Sequence, residues 1–212
     1  MQRYLEPELM DNLDQVLAFH KGSKDYGIQG FLSLYEKHIN IADGKVVDLG
    51  CGTGSYLFAL EEKYPKLSIT GYDGSSIMIH VGQGVADCKS SGVRLRHQDF
   101  ENVNDTADIV ISTNTLHHLH NTDVFWNCIK RISNRVFIMD LIRPANNEIA
   151  KTIVETLAGN DSKEFKTDYY NSLLAAFTVD ELLKQIEGTN LKLEVEGTPD
   201  FLQVAVIHGT IL

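Results

Sequence analysis

The chain is poor in positive charge. It carries 19 Lys and Arg against 29 Asp and Glu, a formal net charge of −10 over 212 residues. Nucleic-acid binders draw most of their affinity from Lys and Arg on phosphates, so no nucleic-acid substrate is expected. Cysteine is scarce too: Cys51, Cys88 and Cys128 are odd in number and form no C-x-x-C pair. That excludes a disulfide framework and a cysteine-based zinc or redox motif. No apolar run reaches the eighteen or so residues of a membrane helix, so no membrane partner is expected. The first residues lack the basic-then-apolar pattern of a signal peptide, and a cytoplasmic protein is expected.

What is present is an alternation of strand and helix. With 43% hydrophobic residues and 16 glycines, the length suits one α/β domain over 1–212 and not two full ones. Helical spacing of apolar residues covers about 8–20 and 28–39. Strands are expected at 45–49, 67–72, 93–97, 108–112, 135–141, 191–196 and 202–208, with helices at about 56–63, 76–88, 123–132, 146–158, 165–176 and 179–187. Strand then helix, repeated, implies a parallel sheet covered on both faces. The stretch between the last two strands is too short for a crossover helix, so that pair should close antiparallel. Residues 1–40 and the helical insert at about 146–176 are the expected caps over a core spanning 41–208.

The most informative stretch is Val46-Val47-Asp48-Leu49-Gly50-Cys51-Gly52-Thr53-Gly54. A β-branched strand ends in an acid and then a turn with glycine at every second position. Side chains at 50, 52 and 54 would block a ligand from lying on the backbone. Cys51 sits where a small packing residue is wanted. The dinucleotide fingerprint is G-x-G-x-x-G/A, set against a diphosphate; here the spacing is G-x-G-x-G and an acid precedes it, which suits a positively charged ligand better. The run D-L-G-C-G-T-G at 48–54 resembles the first motif of class I S-adenosylmethionine (SAM)-dependent methyltransferases. The resemblance extends over about 41–208. It implies a Rossmann-like, doubly wound seven-stranded sheet, mostly parallel with an antiparallel C-terminal hairpin, in the order 3-2-1-4-5-7-6.

Ligands of open α/β sheets bind beyond the carboxyl ends of the strands, so the strand ends name the candidate cofactor residues. Strand one gives Asp48, Gly50, Cys51, Gly52 and Gly54. Strand two ends at Asp73-Gly74-Ser75, where a carboxylate suits a ribose diol and the glycine leaves room for the sugar. Met78, one turn into the next helix, is placed to lie under an adenine. The resemblance implies that Asp99 and Phe100, after strand three, hold the adenine edge. The run Ser112-Thr113-Asn114-Thr115-Leu116-His117-His118-Leu119 resembles the family's fourth motif and puts Asn114 beside the sulfonium.

Methyl transfer from a sulfonium is an in-line displacement that mainly requires alignment of the acceptor. An amine acceptor needs no base, whereas a hydroxyl does, and histidine is the first candidate. His117 and His118 point about 100° apart on a helical turn, so at most one of them faces the cofactor; His118 is the candidate. The H-x-H spacing of His118 and His120 is a poor zinc pattern, and no metal is expected. Tyr26, Tyr169, Tyr170 and Asn171 are candidate cap residues facing the substrate, and Arg143 is a candidate contact suited to an anionic group. The expected function is SAM-dependent transfer of a methyl group to an O or N atom of a small molecule, with S-adenosylhomocysteine (SAH) as product, by a monomer or homodimer. An NAD-type oxidoreductase and a catalytically silent SAM- or SAH-binding protein stand as alternatives.

Overall fold

In a computed structural model, residues 1–7, 9–23, 27–198 and 203–211 are described. Seven strands form one sheet: β1 (Asp43–Leu49), β2 (Lys66–Asp73), β3 (Arg94–His97), β4 (Ile109–Thr113), β5 (Arg135–Leu141), β6 (Lys192–Glu196) and β7 (Val204–Thr210). Their order is β3-β2-β1-β4-β5-β7-β6. Strands β1 to β5 pair parallel, and β7 joins β5 and β6 antiparallel. The expected order and closing hairpin are therefore both present.

The helices are α1 (Leu13–Ser23), α2 (Ile28–His38), α3 (Ser55–Lys63), α4 (Ser76–Lys89), α5 (Thr122–Ile132), α6 (Asn147–Leu157), α7 (Lys163–Ala175) and α8 (Val179–Gln185). Successive strand residues feed opposite faces of the sheet. Ile109 and Ile111 join Phe137, Met139, Phe31 and Tyr35 in one core, while Val110 joins Ile138, Phe125 and Ile129 in the other. All of β4 is buried, as a central strand covered on both sides requires.

One element starts later than its apolar spacing suggests. Asn12 caps the first helix, its Oδ1 accepting from the Gln15 N–H at 3.1 Å, so α1 begins at Leu13 and not near residue 8. The preceding residues serve tertiary contacts instead: the Tyr4 N–H donates to Leu174 O at 3.1 Å, and Ser75 Oγ donates to Met10 O at 2.7 Å. This segment crosses the carboxyl ends of the parallel strands, together with α7 from the insert.

Candidate active site

The turn after β1 folds back onto the end of β2. The N–H groups of Gly50 and Cys51 both donate to Tyr72 O, at 2.8 and 3.0 Å. Gly50, Gly52 and Gly54 have φ of +80°, +52° and +80°, conformations that cost other residues roughly 1–2 kcal/mol each. Asp73 locks the turn from β2: Oδ2 accepts from the Gly52 N–H and Oδ1 from the Ser75 N–H, both at 2.8 Å. Burial pushes the Asp73 carboxyl up, and those two donors oppose the rise. Ser75 then caps α4, its Oγ accepting from the Met78 N–H at 3.2 Å.

Asp48 is buried, and its Oδ1 has no hydrogen-bond partner among the described residues. Burial, reinforced by the charge of Asp73, drives its pKa well above the usual carboxylate range. Asn114 sits at φ +51°. Its Nδ2 donates to Tyr56 Oη at 3.2 Å, and its Oδ1 is likewise buried without a partner among the described residues. A non-glycine residue held in this region marks a place where surrounding structure enforces an unfavourable backbone.

These groups line one cavity of about 520 Å³, within the roughly 300–1,000 Å³ typical of small-molecule sites. Asp48, Gly50, Cys51, Gly52, Asp73, Gly74, Met78, Asp99, Phe100, Asn114 and His118 all stand in its wall. Gly54 stands behind it, where an added Cβ would meet Leu95 and Phe58 at 3.2 Å.

The other end of the cavity is built around Asp140, at the end of β5. Its Oδ1 accepts from His117 Nδ1 at 2.6 Å, and its Oδ2 accepts from the Thr115 and Leu116 N–H groups at 3.1 and 2.7 Å. Glu6 lies opposite, with Oε1 3.2 Å from His118 Nδ1 and 3.7 Å from His117 Nε2; Ser172 Oγ donates to it at 3.1 Å. Burial raises the Glu6 and Asp168 carboxyls. Burial, and next the neighbouring His117, pull His118 down to about 3.

A methyltransferase-domain family model matches residues 41–189. The chain belongs to that family. It is of the class I SAM-dependent type, which its strand order shares. A ribosomal RNA small subunit methyltransferase C from Haemophilus ducreyi is 33% identical over 101 residues, 47% of this chain and 30% of that protein. A malonyl-[acyl-carrier protein] O-methyltransferase from Bacillus cereus is 31% identical over 90 residues, 42% of this chain and 33% of that protein. The chain thus matches about a third of the length of these curated relatives. Among solved structures, the plantazolicin methyltransferase BpumL in complex with SAH superposes with a TM-score of 0.66 at 16% identity, covering 93% of this chain and 88% of that one.

Within this methyltransferase domain, the residues expected from sequence to contact the substrate fall in different places. Arg143 is absent from the cavity wall; its Nη1 donates to Ala176 O at 3.1 Å and its Nη2 to Glu181 Oε1 at 2.6 Å, so it ties the end of β5 to α8. Tyr170 faces the core with Phe165 and Leu174, and Asn171 lines a separate smaller cavity beside Gln15 and Lys163. One position of helical phase decides this, since Tyr169 and Ser172 take the inner face of α7. Tyr26 lies outside the described residues. Among the wall residues that sequence reading missed are Glu6, Gln15, Tyr56, Glu101 and Asp168. The first two and the last fall in the two segments expected to cap the site, and that was their only signal.

Proposed function

We propose that the chain is a SAM-dependent methyltransferase acting on an O or N atom of a small molecule that is neutral or cationic. The observation that carries this is the charge of the cavity wall. It holds six carboxylates (Glu6, Asp48, Asp73, Asp99, Glu101 and Asp168) and, among the described residues, no Lys or Arg. Such a wall offers acceptors to the ammonium and sulfonium of SAM and no cation to the diphosphate of a dinucleotide. The name of the Haemophilus relative points to RNA, but a net charge of −10 opposes phosphate-backbone binding.

The residues fit the cofactor. The side-chain-free turn at Gly50 and Gly52 would seat its amino-acid end, with the unpartnered Asp48 Oδ1 and Asn114 Oδ1 as acceptors. Asp73 has lone pairs left for a ribose diol after accepting two N–H groups. Met78, Asp99 and Phe100 would hold the adenine. Bound there, SAM supplies an electrophilic methyl group on a positive sulfur.

The chain's own part is to place the acceptor and take its proton. His118, at about 3, is a weaker base than an ordinary histidine, and a base works best with a pKa near the working pH. Glu6 has moved the other way, upward. We therefore assign proton acceptance from a hydroxyl to Glu6, with His118, 3.2 Å away, orienting it.

Calorimetric titration with SAM and with NADH tests the cofactor; heat from NADH and none from SAM sinks the proposal. Incubation with SAM and a metabolite extract, read for a gain of one methyl group, then identifies the acceptor. For a hydroxyl acceptor, Glu6→Gln should lower kcat by about 10²–10⁴ while leaving SAM affinity unchanged. A rate preserved in that variant would remove Glu6 from the chemistry.

A further inference from the structure

A second cluster lies away from the cavity, where the end of α2 meets the β6–β7 hairpin. Register pairs Lys192 with His208, Glu194 with Val206 and Glu196 with Val204, so Glu194, Glu196 and His208 share one face of the sheet. That is the face whose Val204 and Val206 join the α2 core. His38, the last residue of α2, comes down onto it. His208 Nε2 is 3.1 Å from Glu194 Oε1, and His38 Nδ1 is 3.8 Å from the same oxygen. One ligand atom from each of the three residues lies within 4.8 Å of the others.

We propose that His38, His208 and Glu194 form a binding site for a divalent transition-metal ion of the zinc type. A tetrahedral ion with bonds of about 2.1 Å needs donors about 3.4 Å apart, and the two measured separations bracket that value. The donor set of two imidazoles and one carboxylate suits such ions rather than magnesium or calcium. The outer partner is in place as well. His38 Nε2 is 3.0 Å from Glu196 Oε1, the carboxylate–histidine arrangement that orients a ligating imidazole and directs its other nitrogen at the metal. Glu196 is itself fixed by Lys37 Nζ at 2.5 Å.

Ion pairing alone explains the cluster less well. The two imidazole rings stand 4.4 Å apart, where two positive charges repel, while one cation between two neutral rings is shared. His38 also ends a helix, where the terminal carbonyls favour positive charge. Its side chain is 5% exposed against 43% for Glu194, so the site is sheltered yet open to entry and to a water as fourth ligand. Its consequence would be a clamp: α2 carries Phe31, whose ring packs on Tyr56 of the active-site wall at 5.2 Å between centroids.

The test is titration of the metal-free protein with Zn²⁺ and with Co²⁺. One equivalent of zinc should bind with a rise in Tm, and Co²⁺ should show the visible absorption of a low-coordinate site. Glu194→Gln, at a half-exposed position, should abolish that absorption without altering circular dichroism, and His208→Asn should do the same. Glu196→Gln should weaken binding by about 10–100-fold. Absence of saturable binding, or binding retained in both Glu194→Gln and His208→Asn but lost in His118→Asn, overturns the proposal. None of these readouts depends on methyl transfer.

Discussion

The Asp140 carboxylate and the His117 imidazole face each other at 2.6 Å, both buried, at the point where β4 turns toward the cavity. Burial, the largest single influence, pushes Asp140 up and His117 down, yet each ends on the opposite side of its usual value because the other's charge, their shared hydrogen bond and further neighbours (the Leu141 N–H for Asp140, Glu6 and Asp168 for His117) together outweigh it. Breaking such a buried pair costs about 3–5 kcal/mol. Asp140→Asn should therefore lower stability by that amount in denaturant titration, and a loss below about 1 kcal/mol would show that the pair is not ionised.

The same pair sets a pH signature. Asp140 has a depressed folded pKa, so its contribution is complete above the usual value near 4 and lost as pH falls through the folded value. His117 has a raised folded pKa, so its contribution is complete below about 6.5 and lost as pH rises through the folded value. Subtracting the Tm profile of His117→Gln from that of the native protein should leave a difference that shrinks at alkaline pH. A difference that grows there contradicts the assignment.

Asp73 fixes the glycine turn, and in the proposed cofactor reading it also offers lone pairs to the ribose. Asp73→Ala should weaken SAM binding by roughly 1.5–3 kcal/mol, the range for hydrogen bonds to a charged group. Unchanged affinity by calorimetry would mean that the ribose is held elsewhere.

Gly50 is tied to Thr115, whose Oγ1 donates to Gly50 O at 3.0 Å. An added Cβ at Gly50 would fall 2.8 Å from Thr115 Cβ, on top of the strain at φ +80°. Gly50→Ala should cost about 1–3 kcal/mol and abolish cofactor binding. Retained SAM affinity would place the ligand off this turn.

Arg3 fastens the amino-terminal segment over the cavity. Its Nε donates to Ala175 O at 2.6 Å and its Nη2 to His117 O at 2.8 Å, and its guanidinium lies 3.8 Å over the Phe177 ring. A lysine cannot reproduce this fork. Arg3→Lys should raise KM for the acceptor several-fold while leaving the SAM Kd within about twofold; an unchanged KM would show that Glu6 is held in place without Arg3.

The sheet was readable from sequence because each strand carries its own pattern: β4 and β5 hold the apolar runs Ile109-Val110-Ile111 and Val136-Phe137-Ile138-Met139, and β1 ends in a turn built on glycines at positive φ. The half of the cavity proposed for the cofactor lies at strand ends, so strand order alone gathers Asp48, Asp73, Asp99 and Asn114. The acceptor half depends on packing between distant segments. Nothing local marks Glu6 as a partner of His118 or Asp168 as a wall residue, because their meeting is decided by how the amino-terminal segment and α7 settle on the sheet. Arg143 was equally illegible: a guanidinium after a strand end reads alike in sequence whether it meets a ligand or Glu181.

Two of the three thiols are shut away. Cys51 is packed against Gly71, where an added Cβ would come within 2.7 Å of its Sγ, and burial raises its pKa well above normal. Cys128 is buried as well and pushed up to about 11, whereas Cys88 faces solvent on α4. A maleimide dye or nitroxide mixed with the native enzyme will therefore attach at a single spot, at the far end of the helix whose first turn follows Asp73-Gly74-Ser75. That spot gives a ready-made optical or magnetic reporter of ligand arrival, with no engineering of the chain.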